Sequence, residues 1–299
     1  MTLEDCRRFY SEEVKFAAGL TSSILVEAFA RVPRENFLGP PPWKVGSPEQ
    51  RALALMGLGD SSYTSTNDPR DLYHNVVVVL DIARNINNGQ PSALGRWIDA
   101  LQLKAGERVY HLGCGVGYYT AILAEVVGPN GSVTAIEYEP DLAARAKQNL
   151  AAFPNVTVHT GDGAAFDPGD SDAMLINAGV THPHAAWLDR LCEGGRMVLP
   201  FTIPAAADGM GQGIMYKLTR RREGYAAQMV TPVGICSCRS VREAQLEPML
   251  LKAISTRALL QLKSVRRDAH EQAATCVVHA SGVCLSSAEL SPNPGSGAD

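Results

Sequence analysis

Long apolar runs are absent from this sequence. Although 45% of its 299 residues are hydrophobic, no stretch approaches the roughly eighteen consecutive apolar residues of a membrane-spanning helix. The opening residues 1–15 are charged and lack the apolar centre of a signal peptide. An excess of one charge is also missing. Lys and Arg number 27 against 31 Asp and Glu, a formal charge of -4, so no basic field marks a nucleic-acid binder. Nor is there a disulfide framework. The cysteines number seven, an odd count spread along the chain, which fits a reducing compartment. The expectation is a cytoplasmic protein with neither nucleic-acid nor membrane partners. No internal repeat is present. The chain is long enough to bury one large core, with appendages.

The N-terminal part reads as two helices, over 3–18 and 21–32. Thr21 or Ser22 serves as cap in the second, with Ile24, Leu25, Ala28, Phe29 and Val32 on one face. Pro33 ends that helix, and residues 39–43 are a stiff, proline-rich extended segment. The turn formers over 44–75 predict ordered loop with one short helix near 48–56. Residues 76–80 are a β-branched run and predict a strand. After a polar turn at 85–91 comes a helix over 91–101.

From residue 108 onward strand and helix alternate. Strands are expected over 108–112, 132–138, 155–160, 172–178 and 196–201. Helices are expected over 118–127, 140–152, briefly near 164–167, and over 183–192, the last closed by Gly194 and Gly195. This alternation predicts an α/β fold with a parallel sheet covered on both faces. Two further strands, 213–221 and 225–235, form an antiparallel edge pair. A helix over 243–263 and a strand over 275–285 follow. The expected division is an N-terminal helical and loop cap (1–75), a core (76–238), a C-terminal extension (239–285) and a disordered tail (286–299).

The sequence between the first core strand and its helix is Gly113-Cys114-Gly115-Val116-Gly117-Tyr118. Glycines at alternate positions permit positive φ and close approach of a ligand, and the helix start offers free N–H groups to an anion. A dinucleotide loop needs a third glycine inside the helix, where this chain has Tyr118, Tyr119 and Thr120. A ligand without a pyrophosphate is therefore favoured. Three later strand ends support this. Glu137, followed by Tyr138, can accept two ribose hydroxyls. Asp162, between Gly161 and Gly163, lies where an adenine amino group would sit. Asn177 and Ala178 bring small and polar groups beside a reaction centre. Open α/β sheets bind ligands at such carboxyl ends.

On these residues the chain resembles the class I methyltransferases, and within them the protein-L-isoaspartate O-methyltransferase family. The likeness runs from about residue 20 to about residue 235. It includes Val32-Pro33-Arg34-Glu35 with Phe37, the glycine loop through Ala121, Glu137, Gly161-Asp162-Gly163, and Glu193-Gly194-Gly195-Arg196-Met197-Val198-Leu199-Pro200. The resemblance implies a Rossmann-like, mostly parallel seven-stranded sheet and S-adenosyl-L-methionine as methyl donor. It implies an O-methyltransferase acting on a carboxylate-bearing protein, peptide or small-molecule acceptor. A methyltransferase for a small metabolite or modified peptide, and a non-catalytic cofactor-binding protein of the same fold, are the alternatives. His111 stands where the family has an acid that places the donor's amino group. The family's acceptor loop carries a serine near the transferred methyl; counting back from Gly113 puts Gly89 there, whereas matching Gly89 and Gln90 to the family's pair puts Ala93 there.

The acceptor side is expected at the polar cluster Asn87, Asn88, Gln90 and Ser92, with His182 as a further candidate for orienting the acceptor or serving as a base. Asn88, Ser92 and His182 are the candidate catalytic residues, and no acid–base dyad is visible. Cys114 reads as a small filler. Cys236, Cys238, Cys276 and Cys284 lack the spacing of zinc knuckles, so no metal is expected.

Overall fold

The computed structural model describes residues 1–47, 49–50, 63–204, 210–280 and 282–290. The chain divides into two compact units, Met1–Gly163 and Ala164–Asp299.

In the first unit, α1 (Leu3–Ala18) begins with a capping box, Thr2 accepting from the Asp5 amide while Asp5 accepts from that of Thr2. Helix α2 (Ser23–Arg31) is capped by Ser22. Its approach is pinned by Asp99, which accepts from the backbone of Thr21 at 3.1 Å and of Ser22 at 2.9 Å. After the short α3 (Glu35–Leu38), four strands form an antiparallel sheet in the order β2-β1-β3-β4. They are β1 (Trp43–Gly46), β2 (Thr64–Thr66), β3 (Val77–Asp81) and β4 (Ile86–Asn87). The loop expected over 44–75 thus holds two strands and a 3₁₀ turn (Pro69–Leu72). These pieces are too short to carry a legible period; Trp43 and Leu72 pack with Leu38 and Val78 in a small core of their own. Of the helix expected near 48–56, residues 48 and 51–56 lie outside the described residues.

Helix α4 (Pro91–Ala100) leads to the parallel set β5 (Arg108–Leu112), β6 (Ser132–Glu137) and β7 (Val156–Thr160). These alternate with α5 (Tyr118–Val127) and α6 (Pro140–Asn149). α5 matches its expected bounds; its residues are buried on nearly every side, so apolar content and flanking glycines, rather than amphipathicity, mark it.

The second unit carries β8 (Ser171–Ile176), α7 (Ala185–Arg190), β9 (Leu191–Pro204), β10 (Met210–Arg221), β11 (Gly224–Cys236), α8 (Glu247–Ser255), β12 (Ser264–Arg266), β13 (Cys276–Ala280) and β14 (Val283–Ser286). Its strands lie in the order β13-β14-β12-β11-β10-β9-β8. β8 and β9 are parallel and the remaining pairs antiparallel, so the arrangement in this unit is mixed rather than mostly parallel.

Several expectations are corrected here. Residues 164–167 form turn and irregular backbone instead of a short helix, because Pro168 and Gly169 follow at once. Gly194 and Gly195 do not cap α7, which ends at Arg190 with Leu191 already extended. They sit in a bulge of β9, where residues 192–195 oppose Asp172 alone, between the pairs Ser171–Leu191 and Ala173–Arg196. The helix expected over 243–263 is only α8 plus a 3₁₀ turn (Ala258–Gln261), broken where Arg257 takes φ 61°. The strand expected over 275–285 is the hairpin β13–β14, turned at Gly282 with φ 82°. Of the tail, Ser287 and Ala288 are held by backbone and side-chain bonds, and residues 291–299 lie outside the described residues.

The interior of the first unit is organised by a buried cation. Arg34 is fully buried. Its guanidinium donates to the carbonyls of Leu72 at 2.8 Å and Val76 at 2.9 Å, and its carbon lies 6.0 and 5.8 Å from the ring centres of Tyr10 and Tyr118. The Tyr73 hydroxyl donates to Glu35 and accepts from the Arg34 amide at 3.1 Å. Replacing Arg34 by Ala is expected to cost about 3 kcal/mol or more, since it leaves buried carbonyls unpaired and opens a void. Arg34→Lys should recover only part, because an ammonium lacks the planar fork. Urea unfolding measures both.

Candidate functional site

Five residues join β5 to α5. Gly113, Gly115 and Gly117 have φ of 74°, 57° and 93°, a conformation glycine adopts without strain. The turn is anchored to β6, with the amides of Gly113 and Cys114 donating to the Ile136 carbonyl at 2.9 and 3.3 Å. A Cβ on Gly117 would lie 2.7 Å from Leu150 Cδ1, whereas one on Gly115 would meet nothing within 4 Å. The inner side of the loop is thus packed and the Gly115 side is open space.

Glu137 ends β6 and is buried, at 7% exposure. Its two carboxylate oxygens accept from the backbone of Gly115 at 2.7 Å and Glu139 at 3.0 Å. Burial raises its pKa, and these amides oppose that shift. The Tyr138 amide acts on the carboxylate in the same sense. Tyr138, next along, is exposed. The Gly161 amide donates to the Glu137 carbonyl at 2.9 Å, which brings the end of β7, with Asp162 half-buried and Gly163 buried, beside the end of β6. The Gly163 carbonyl accepts from Tyr110 Oη at 3.3 Å.

His111 is buried. Its Nδ1 pairs with Thr120 Oγ1 at 2.9 Å, and its Nε2 is buried with no hydrogen-bond partner among the described residues. Burial lowers its pKa to about 3, so the ring is neutral near pH 7. Cys114 is buried and its thiol is pushed far above its ordinary value, by burial first and by the Glu137 charge second; it fills space, as expected. Tyr118 opens α5. It is wholly buried, its ring set against Phe37 and Tyr119 and its hydroxyl 3.3 Å from that of Tyr10. Its side chain belongs to the core under the loop, because the first turn of α5 faces inward there.

The polar cluster lies close to this loop. Tyr119 Oη donates to the Gly89 carbonyl at 3.3 Å. Asn87 Oδ1 accepts from the Gly89 amide at 2.8 Å, closing a turn of the kind asparagine favours. Asn88 is buried; its backbone donates to the Val78 carbonyl at 2.8 Å, and its Nδ2 is buried without a partner among the described residues. Gln90 donates to Ser92 Oγ at 3.0 Å, and the Ser92 amide donates to Asn75 Oδ1 at 2.9 Å. Ser92 is therefore part of the N-terminal turn of α4, followed by Ala93.

Arg84, which the sequence reading did not single out, pairs with Asp81 at 2.7 Å, Asp141 at 2.7 Å and Glu139 at 3.0 Å. It ties the β3–β4 turn to the segment after Glu137. The signal is four charged residues at irregular spacing, which only the fold brings together.

In the second unit, Asn177 and Ala178 follow β8 and are half-buried. His182 is held by Thr181 Oγ1 at its Nδ1 (2.9 Å) and by Glu243 at its Nε2 (3.2 Å). Burial lowers its pKa and Glu243 partly opposes this. Both ring nitrogens are engaged, which ties His182 to the chain after β11.

A family model described as protein-L-isoaspartate(D-aspartate) O-methyltransferase matches residues 45–228. A protein-L-isoaspartate O-methyltransferase of Ignicoccus hospitalis is 34% identical over 174 residues, which is 56% of this chain and 79% of that one. Among solved structures, a protein-L-isoaspartate O-methyltransferase aligns with a TM-score of 0.62 at 22% identity, over 85% of this chain and 70% of the other. A Plasmodium falciparum structure titled as a protein-L-isoaspartate O-methyltransferase in complex with S-adenosyl-L-homocysteine aligns at 0.59 and 16% identity, over 78% and 98%. These two likenesses carry the Rossmann-like fold.

His111 has a titration consequence. Its folded-state pKa of about 3 lies below the ordinary 6.5, so its contribution is present above 6.5 and is lost as pH falls toward 3. Between neutral pH and roughly pH 5 the native protein should lose about 2 kcal/mol that a His111→Gln variant retains. Urea unfolding across that range reads the difference.

Proposed function

Since the chain belongs to the protein-L-isoaspartate(D-aspartate) O-methyltransferase family, we propose that it methylates a carboxylate of an isoaspartyl-type protein or peptide, and that the polar turn at Asn87–Ser92 receives that acceptor. It is an S-adenosyl-L-methionine-dependent methyltransferase, and the sulfonium donor supplies an electrophilic methyl group. The residues present suit such a donor. The open side of the loop at Gly115 and the Glu137 carboxylate offer space and an acceptor for a nucleoside, with Tyr138 alongside. Asp162, between Gly161 and Gly163, is the second carboxylate for its polar edge. The unpaired Nε2 of neutral His111, at the end of the strand that leads into the loop, suits the amino-acid end. A neutral imidazole in place of an acid can still accept a hydrogen bond from an ammonium.

The observation that carries the acceptor reading is Asn88. A buried amide nitrogen without a partner costs about 1–3 kcal/mol unless something accepts from it, and a carboxylate is the acceptor type expected of this substrate class. The Tyr119–Gly89 bond keeps that amide's turn attached to the donor loop's helix. A carboxylate is already ionised at neutral pH, so the chain needs no general base. Its residues instead orient the carboxylate and exclude water. Ser92, engaged with Gln90, acts by shaping the turn.

Calorimetry with S-adenosylhomocysteine and a labelled-methyl assay on an isoaspartyl peptide test this. Glu137→Gln is expected to weaken S-adenosylhomocysteine binding roughly 10- to 100-fold. Asn88→Ala should raise KM for the peptide about tenfold or more while leaving S-adenosylhomocysteine affinity unchanged. Donor binding with turnover of a small carboxylic acid but not of the peptide would move the acceptor to a metabolite. Donor binding with no transfer to any carboxylate would make this a non-catalytic member of the fold.

A further inference from the structure

The C-terminal strands hold a cluster that the activity does not use. One ligand-type atom from each of His270, Cys276, His279 and Cys284 lies within 4.8 Å of every other. We propose that these four side chains form a structural zinc site that closes the C-terminal extension. The set is two thiols and two imidazoles, the donor chemistry of tetrahedral structural zinc. With Zn–S about 2.3 Å and Zn–N about 2.0–2.1 Å, the edges of such a tetrahedron are about 3.6 Å. Cys276 Sγ and His270 Nε2 already stand 3.6 Å apart. Four protein ligands leave no open position, so the site is structural rather than catalytic.

The backbone explains how the four converge. His279 lies directly opposite Cys284 across the β13–β14 hairpin, and Cys276 lies opposite Ser286. Cys284 and Ser286 are two residues apart and share a face, so their partners Cys276 and His279 must share it as well. Three residues apart on a regular strand, those partners would face opposite ways. The bulge between Cys276 and Val278 supplies the extra residue that turns Cys276 onto the side of His279. His270 comes from the irregular segment before β13 and stacks edge-on against His279, ring centres 4.7 Å apart.

The surroundings are those of a metal site. The Asp268 carbonyl lies 2.9 Å from His270 Nδ1, which sets the tautomer and leaves Nε2 free to face the sulfur. The Ala273 amide donates to Cys276 Sγ at 3.3 Å, as amides do toward metal-bound thiolates. His279 Nδ1 is buried with no hydrogen-bond partner among the described residues, the kind of orphan a ligand resolves. Burial opposes ionisation of Cys276, but the Ala273 amide and His270 ring hold its thiol below the ordinary value. Cys284 is pushed up to about 12, by burial and by its neighbour. Binding Zn²⁺ releases both thiol protons to solvent, forms two Zn–S and two Zn–N bonds, and involves no electron transfer.

The site has a purpose in this fold. β13 is the outer strand of its unit, and residues 267–275 have neither helix nor strand. A metal joining His270 to both strands of the hairpin closes that segment, where a short edge hairpin by itself is marginal. The family model ends at residue 228, so the cluster lies outside the part of the chain that it matches.

Plasma mass spectrometry of the full-length protein, purified under reducing conditions without added metal, should find about one zinc per chain. The metal-stripped protein, titrated with Co²⁺, should develop the intense visible bands of tetrahedral cobalt and the near-ultraviolet thiolate charge-transfer band. Hydrogen exchange of the β13 and β14 amides should speed up when zinc is removed and recover when it is returned. Cys284→Ser and His279→Ala should each lose the zinc, their folding checked by circular dichroism. The cobalt titration needs no variant, so it decides the matter even if both unfold. Reduced wild-type protein that takes up neither zinc nor cobalt, or a Cys276–Cys284 disulfide trapped by alkylation on cell lysis, would overturn the proposal.

Discussion

The first unit depends on how it accommodates the Arg34 guanidinium. The group is fully buried, and among the described residues its partners are backbone carbonyls and aromatic faces; no carboxylate contacts it directly. Moving an unpaired cation out of water costs several kcal/mol, so the carbonyls of Leu72, His74 and Val76 and the rings of Tyr10 and Tyr118 must all be in place. That requirement brings together α1, the turn after α2, the entry to β3 and the first turn of α5. The last of these carries the glycine loop. An N-terminal segment that reads as a cap is thus part of the footing of the glycine loop, through Tyr118.

The remaining order of the site comes from a few polar ties between strand ends. Glu137 is held by the amides of Gly115 and Glu139, and Glu139 by Arg84. Arg84 in turn belongs to the turn that leads into Asn87 and Asn88. Tyr119 reaches back to Gly89. Glycine loop, acidic strand end and polar turn are therefore parts of one hydrogen-bonded arrangement within the first unit. The two buried nitrogens it leaves unpaired, on His111 and Asn88, are where a ligand has most to offer. In the second unit, Glu243 beyond β11 holds His182, and the hairpin at the end of the chain gathers its own thiols and imidazoles.

Much of this was legible from the residues alone. The strand–glycine loop–helix unit, the carboxylate at the end of β6 and the alternation through β8 follow from local chemistry. Glycine at alternate positions, β-branched runs of strand length and capping residues act within a few residues of the chain, and neighbours in sequence suffice to read them. The bounds of α5 and the hairpin of β10 and β11 were readable for the same reason. The family followed from those same local motifs, and the match over residues 45–228 covers the segment that carries most of them.

What depended on contacts between distant residues was not legible. Tyr118 opens the expected helix, but that its side chain is core is set by Phe37 and Tyr10. β1 and β2 are invisible as periods and exist by pairing with each other and with β3. The four C-terminal cysteines read as a conceivable zinc set without the usual spacing, and the cluster that the fold assembles takes only Cys276 and Cys284 from them, with two histidines. The tetrad forms because a one-residue bulge in β13 rotates Cys276 toward His279 and because the fold returns His270 beside them. Spacing along a chain records local conformation; a buried cation's partners, an unpaired amide and a four-ligand cluster are set by distances in space, and the buried cation's partners lie as far along the chain as Tyr118 is from Arg34.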